Sequence, residues 1–169
     1  MAKSKKQLGF TVVEIVVVIA VIGILAGISV LGYSSIRDDA RNATVETDLR
    51  GIGAKMESYY AQTGTYPAAT SAALSASNTI SVTRDAYPAT AYNFLYCLIS
   101  DGTNKRYAVV GRSASGKGFY FSSVDGFKPT GNWVNSYTSM CPQANISTSD
   151  ANFSYFWIQS NGVWSTWAK

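Results

Sequence analysis

The sequence predicts an α+β protein in which one long N-terminal α-helix packs on a small antiparallel β-sheet head. Three observations predict this fold. An uncharged apolar run occupies residues 15–36, and apolar residues at helical spacing continue to about residue 60. Short runs of aromatic and β-branched residues, separated by glycine-containing turns, then extend to the C-terminus. The length of 169 residues suits one such domain preceded by an anchor.

Residues 1–9 form a short basic leader. Lys3, Lys5 and Lys6 supply three of its charges, and the segment ends in Gly9. The formal net charge is +4, but beyond the leader 11 basic residues (14 minus 3) face 10 acidic ones, which leaves +1. The basic character therefore reflects the leader more than a nucleic-acid-binding face, and nucleic acid is not expected as the main partner.

Residues 10–36 are predicted to be a transmembrane and assembly helix. The 22 consecutive uncharged residues from Ile15 to Ile36 would form about 33 Å of helix, enough to span a bilayer. Valine and isoleucine favour strands in water, but a lone strand in lipid would leave its backbone groups unpaired. The lysines before the segment predict a cytoplasmic N-terminus and an external C-terminus. An ordinary secretory signal, a plain single-span anchor and a buried helix of a soluble protein are the alternatives.

Glu14 is unusual in this segment because a carboxylate within an apolar membrane helix costs roughly 2.5–3.5 kcal/mol. The segment offers no cation as a partner. Cleavage just before Phe10 would create an ammonium group four residues upstream, and this group could neutralise Glu14 on a neighbouring copy. Glu14 is therefore predicted to favour the assembly of staggered helices. Gly23 and Gly27 form a G-x-x-x-G pair that would let such helices approach closely.

Gly9, the run Phe10-Thr11-Val12-Val13-Glu14 and the long apolar helix together resemble the class III signal of type IV prepilins and type II secretion pseudopilins. The resemblance implies that prepilin peptidase cuts between Gly9 and Phe10 and N-methylates Phe10. Residues 48–67, which run into a Gly-x-Tyr-Pro turn, resemble the same families. Leu31 departs from the pattern because many major pilins have a proline there.

The function expected from this resemblance is that of a structural pilin of a type IV pilus-like filament. The precursor would lie in the cytoplasmic membrane, and the assembled form would lie outside the cell. The implied partners are other copies of the chain, prepilin peptidase, an inner-membrane assembly platform and, indirectly, an assembly ATPase. The alternative is a pseudopilin or minor pilin of a type II secretion or DNA-uptake system.

Residues 37–63 are predicted to be the amphipathic second half of the helix, which would run from about Phe10 to Ala61. Gly64 and Pro67 are expected to end it. Its apolar residues recur at steps of three and four and are expected to pack on the protein's own sheet; they are Val45, Leu49, Ile52, Met56 and Tyr59 or Tyr60.

Residues 64–91 are predicted to be an exposed helix-to-sheet loop, and residues 92–169 the sheet head. The Asn161-Gly162 pair is the strongest hairpin signal. Cys97 and Cys141 are expected to form a disulfide if the anchor places them outside the cytoplasm, with two buried thiols as the alternative. The candidate strands are Tyr92–Ile99, Arg106–Gly111, Phe119–Val124, Phe153–Gln159 and Val163–Trp167.

The residue inventory argues against an enzyme. The chain has no histidine, which excludes Ser-His and Cys-His nucleophile pairs and the usual histidine-containing zinc sites. We expect no metal and no cofactor. The many aromatic residues of the head leave a membrane-anchored glycan-binding domain as a further alternative. Asn42, Asn145 and Asn152 each begin a triplet that matches the N-glycosylation pattern.

Overall fold

A computed structural model of the chain describes residues 9–90 and 92–168, without the side chains of residues 30–32. The described elements follow one another in the order α1 Val12–Thr63, α2 Ser71–Ser77, a single 3-10 turn Arg84–Ala86, β1 Phe94–Ser100, β2 Lys105–Arg112, β3 Gly118–Ser122, β4 Gly126–Pro129, α3 Tyr137–Gln143, β5 Phe153–Ser160 and β6 Val163–Trp164. The strands form one antiparallel sheet in the order β4-β3-β2-β1-β5-β6. The α+β fold predicted from the sequence is confirmed.

The chain divides into two compact units, with the boundary between Arg37 and Asp38. The first unit contains the N-terminal part of α1. The second contains the remainder of α1, the sheet and the two short helices. The predicted long helix is confirmed, although it begins at Val12 and ends at Thr63, two residues later than expected at each end.

Within the second unit, the apolar stripe of α1 packs on the sheet as predicted. Val45, Leu49, Ile52 and Met56 are buried in one cluster with inward-facing residues of β1, β2 and β5. Gly53 lies on the same face, and a β-carbon there would come within 2.4 Å of the Cε1 atom of a phenylalanine ring on β3. The absence of a side chain at this position lets α1 approach the sheet closely.

The opposite face of the sheet is covered by α3 and the segments around it. Leu95, Cys97 and Ile99 of β1 pack there against Met140 and Cys141. Because both faces of the sheet are covered, consecutive residues of β1 are buried rather than every second one. The Cys97–Cys141 disulfide crosses this layer with a Cα–Cα distance of 5.9 Å. Closing a loop of this length contributes roughly 4 kcal/mol in the chain-entropy model.

The expectation that residues 64–91 form an exposed loop is wrong. The segment contains α2 and the 3-10 turn, and six of its apolar side chains enter the core: Tyr66, Leu74, Ile80, Val82, Ala86 and Tyr87. Asp48 of α1 fixes it by accepting hydrogen bonds from the backbone N–H of Thr83 at 2.7 Å, from the hydroxyl of Thr83 and from the hydroxyl of Tyr87. The segment is therefore a layer of the core.

The strand predictions are confirmed for β1, β2, β3 and β5 to within two residues, whereas the last strand stops at Trp164 instead of Trp167. Asn161 and Gly162 both have positive φ angles and join β5 to β6 in a two-residue hairpin, as predicted. Strand β4 and helix α3 were not predicted. Pro129 lies in this strand and Pro142 in this helix, and proline argues locally against both kinds of element.

Candidate processing and assembly site

The bond between Gly9 and Phe10 is accessible in the described part of the chain. Both residues are non-helical and exposed, and Phe10 exposes 84% of its surface. Apart from the chain neighbours of Gly9, no described residue has a heavy atom within 4 Å of the position that a β-carbon on Gly9 would take. An enzyme can therefore reach this bond without unwinding α1. The predicted leader charges, Lys3, Lys5 and Lys6, lie outside the described residues.

Helix α1 begins with a reciprocal pair of hydrogen bonds between Thr11 and Glu14. The Thr11 hydroxyl oxygen accepts from the backbone N–H of Glu14 at 3.2 Å. In return, Oε2 of Glu14 accepts from the backbone N–H of Thr11 at 2.8 Å and from its hydroxyl at 2.9 Å. This arrangement is a capping box, which satisfies two N–H groups that the first turn of a helix leaves unpaired.

The capping box gives Glu14 a role within one chain that the sequence analysis missed. The signal was present, because Thr-x-x-Glu before an apolar run is the sequence signature of a capping box. The donors from Thr11 are neutral, so they do not neutralise the carboxylate. No ion pair within residues 9–90 and 92–168 includes Glu14. The need for a positive partner in an apolar environment therefore remains.

The side chains that follow Glu14 form a continuous apolar surface. Between Val12 and Ile28 the large apolar side chains are 49% to 81% exposed in the single chain. This part of α1 is long and apolar enough to cross a membrane. Such a surface is stable only when lipid or other apolar helices cover it.

Gly23 and Gly27 lie in the same apolar part of α1. Among the described side chains and the backbone beyond the neighbouring turns, no atom lies within 4 Å of the β-carbon position at either residue. The helix backbone is therefore open at these two points, as close packing of a second helix requires. Whether the pair is used in this way stays a prediction. The side chain of Leu31 lies outside the described residues.

The remaining predicted site residues, Cys97 and Cys141, lie in the second unit and form the buried disulfide. Among the described residues there is no group of three His, Cys, Asp or Glu side chains that could hold a metal ion. Asp125 instead accepts hydrogen bonds from Asn145 and Lys128, which lower the pKa of its carboxyl. These contacts tie β4 to the segment after α3 and are structural.

Aromatic side chains of the head mostly pack on one another. The rings of Tyr137 and Tyr155 stack with centroids 3.8 Å apart, and Phe153 adjoins both. Burial, followed by the negative charge of Glu57, raises the pKa of the Tyr66 and Tyr107 hydroxyls. Most of the aromatic side chains therefore pack in the core or at its edges.

Comparison with known proteins identifies the N-terminal segment. The family described as the prokaryotic N-terminal methylation motif matches residues 4–30, which include Gly9, Phe10 and Glu14. The chain is also similar to the type II secretion system core protein G of Pseudomonas aeruginosa, with 34% identity over 65 residues. That match covers 38% of this chain and 46% of the relative, so the chain spans about half the length of the curated relative. No solved structure matches.

Proposed function

We propose that the chain is a type IV pilin, the structural subunit of an extracellular filament. The observation that carries the proposal is the methylation motif over residues 4–30, which spans the accessible Gly9–Phe10 bond and leads into an exposed apolar helix. Prepilin peptidase cuts after Gly9 and methylates the new N-terminal amine of Phe10. The chain has no enzymatic activity of its own.

The proposed orientation places the N-terminus of the precursor in the cytoplasm and the second unit outside. Three lysines precede the apolar segment, and the first basic residue after it is Arg37. The Cys97–Cys141 disulfide supports the external location of the second unit, because disulfides persist in oxidising compartments.

Assembly in this proposal replaces lipid around the apolar helix with neighbouring helices. Both hydrogen bonds from Thr11 go to Oε2 of Glu14, and Oε1 has no donor among the described residues. The methylated ammonium of Phe10 on an adjacent copy can therefore pair with Oε1 while the capping box stays intact. Gly23 and Gly27 provide points where the helices approach closely.

The proposed organisation assigns each segment one task. Residues 1–9 are removed, residues 10–36 anchor the precursor and then assemble, and residues 37–63 carry the head. Residues 64–91 connect the helix to the sheet head of residues 92–169. The partners are further copies of the chain, prepilin peptidase, an inner-membrane assembly platform and, indirectly, an assembly ATPase.

A second candidate is a pseudopilin or minor pilin. The similarity to the type II secretion system core protein G favours this alternative, since that protein belongs to a secretion system. A DNA-uptake system would use a subunit of the same kind. The two candidates share processing and assembly and differ in abundance outside the cell.

Mechanical shearing of cells that make the chain separates these candidates. A pilin dominates the sheared material, whereas a pseudopilin stays with the cell envelope and forms only short crosslinked ladders there. A chain that is absent from sheared material and crosslinks to no other copy would contradict both. Binding of the full chain, in detergent, to a glycan array would then favour the anchored glycan-binding alternative.

A further inference from the structure

The three N-glycosylation triplets occupy different structural settings. The triplet at Asn42 lies within α1, where its backbone is helical. Asn42 Oδ1 accepts from the hydroxyl of Ser115 at 2.6 Å, and the hydroxyl of Thr44 donates to the carbonyl of Ala40. A transferase would have to unwind the helix and break these bonds, each contributing about 0.5–1.5 kcal/mol.

The triplet at Asn145 is also committed to the fold. Asn145 has a left-handed backbone conformation with φ of 58°, and its side-chain amide donates to Asp125. The middle residue of the triplet, Ile146, is completely buried. The hydroxyl of Ser147 is paired with that of Ser149. Neither the Asn145 amide nor the Ser147 hydroxyl is therefore available to a transferase.

The triplet at Asn152 differs in each of these respects. Asn152 is exposed in the turn before β5, and its side-chain amide has no hydrogen bond to any described residue. The hydroxyl of Ser154 is likewise without a partner there. Strand β5 pairs with β1 along one of its edges. Along the other edge, β6 pairs only with Gln159 and Ser160, so no described strand lies beside the N-terminal end of β5 there. The amide and the hydroxyl that a transferase must hold are both uncommitted.

We propose that Asn152 is the acceptor of an N-linked glycan, and this rests on the proposed external location of the second unit. Asp150 lies two positions before Asn152. The carboxylate of Asp150 accepts the backbone N–H of Asn152 at 2.8 Å, which shapes the turn that presents the asparagine. The donor is an oligosaccharide carried on a polyisoprenyl diphosphate.

The transfer is a substitution with no change of oxidation state. Nδ2 of Asn152 attacks C1 of the first sugar, and a C–N glycosidic bond forms. The bond from C1 to the diphosphate oxygen breaks, and the lipid diphosphate leaves with its electron pair. The amide gives one proton to a base of the transferase.

The test uses the full chain produced together with a bacterial oligosaccharyltransferase and its lipid-linked oligosaccharide. Mass spectrometry of proteolytic peptides should find one glycan on Asn152 and none on Asn42 or Asn145. Ser154→Ala should abolish the modification, whereas the matched variants Thr44→Ala and Ser147→Ala should keep it. A glycan that survives Ser154→Ala, or that sits on either other asparagine instead, would overturn the assignment.

A second acceptor separates this proposal from the proposed orientation. An Asp-Gln-Asn-Ala-Thr tag appended after Lys169 reports whether the head reaches the transferase. If the tag is glycosylated and Asn152 is not, the assignment of Asn152 is wrong while the orientation stands. If neither is glycosylated, the external location of the second unit is contradicted, and this proposal fails with it.

Discussion

Thr11 and Glu14 hold each other at the first turn of α1, with the backbone N–H of Thr11 donating to Glu14 Oε2 at 2.8 Å and the backbone N–H of Glu14 donating to the Thr11 hydroxyl at 3.2 Å. Glu14 is therefore both a helix cap and, in our proposal, the partner of a neighbouring ammonium. The cap requires an acceptor oxygen, whereas the pairing with an ammonium requires the negative charge. Mutations can therefore separate the two.

Glu14→Gln should leave membrane insertion and helix content unchanged but reduce filament yield more than tenfold. Glutamine keeps an oxygen that accepts from Thr11, but it lacks the negative charge that pairs with the Phe10 ammonium. Truncating one member of a buried charge pair costs about 2–5 kcal/mol at an interface. Yield is measured by quantifying the chain in sheared or crosslinked material.

Thr11→Val is the matched control for Glu14→Gln. It removes the capping hydroxyl and keeps the charge, at a cost of about 1 kcal/mol to the start of the helix. Assembly should suffer less than in Glu14→Gln. Equal losses in the two variants would show that capping, and not charge pairing, explains the presence of Glu14.

Gly53→Ala should destabilise the second unit by about 1–3 kcal/mol, because the new methyl group would overlap the ring of Phe121. At Gly51, two residues earlier on the exposed face of α1, a new methyl group would meet no described atom within 4 Å apart from the adjacent helix backbone, so Gly51→Ala creates no overlap. It should stabilise the same unit by roughly 0.5–1 kcal/mol through helix propensity. Denaturant unfolding of both variants measures the difference, and equal shifts would contradict the close approach of α1 to β3.

Asp48→Asn should destabilise the protein by about 1–3 kcal/mol. An amide offers a single acceptor oxygen, whereas both carboxylate oxygens receive hydrogen bonds from Thr83, and Oδ2 also receives one from Tyr87. Glu46→Gln is the control, since it weakens only an exposed pair with Arg50. Proteolysis within residues 68–91 should increase in the first variant alone. No change there would mean that Asp48 does not fix this segment.

Tyrosine ionisation should leave the stability of the fold unchanged below about pH 10 and should lower it as pH rises further. Burial raises the pKa of Tyr66, Tyr87, Tyr96 and Tyr107 above that of tyrosine in an unfolded chain. Above pH 10 the unfolded state therefore loses protons that the folded state keeps, which favours unfolding. The loss should approach about 1.4 kcal/mol per pH unit for each such tyrosine.

Unfolding of the full chain in detergent, followed at several pH values from 8 to 12, measures this dependence. Tyr66→Phe should reduce the loss of unfolding free energy per pH unit, because it removes one hydroxyl whose pKa is raised. A stability that stays constant to pH 12 would contradict the burial of these hydroxyls.

Regular patterns made much of the fold predictable. The spacing from Val45 to Met56 fixed the buried face of α1, and the Asn161-Gly162 pair located the hairpin that carries β6. The packing of residues 64–91 was not predictable, because Leu74 and Tyr87 are buried by partners distant in sequence, including Asp48. A low-charge Ser/Thr/Ala segment carries little local information about such contacts.

The candidate site was predicted as a set of residues but not as a geometry. The pattern from Gly9 to Glu14 indicated the class of signal, and the methylation motif confirms that resemblance. The hydrogen bonds between Thr11 and Glu14 were not predicted, because a carboxylate within an apolar segment points first to a charged partner. Helix α3 was not predicted because it contains Pro142, and proline disfavours a helix interior. The structure tolerates this proline because the helix is short and the disulfide at Cys141 holds it against the sheet.

The central claim is that the chain is processed after Gly9 and assembles through its new N-terminus. Mass spectrometry of the intact protein, purified from the envelope or sheared filaments of cells that process it, tests this claim most directly. The account predicts a first residue of Phe10 with one added methyl group on its amine. A mature protein that keeps Lys3, Lys5 and Lys6, or that begins downstream near Gly27, would contradict it.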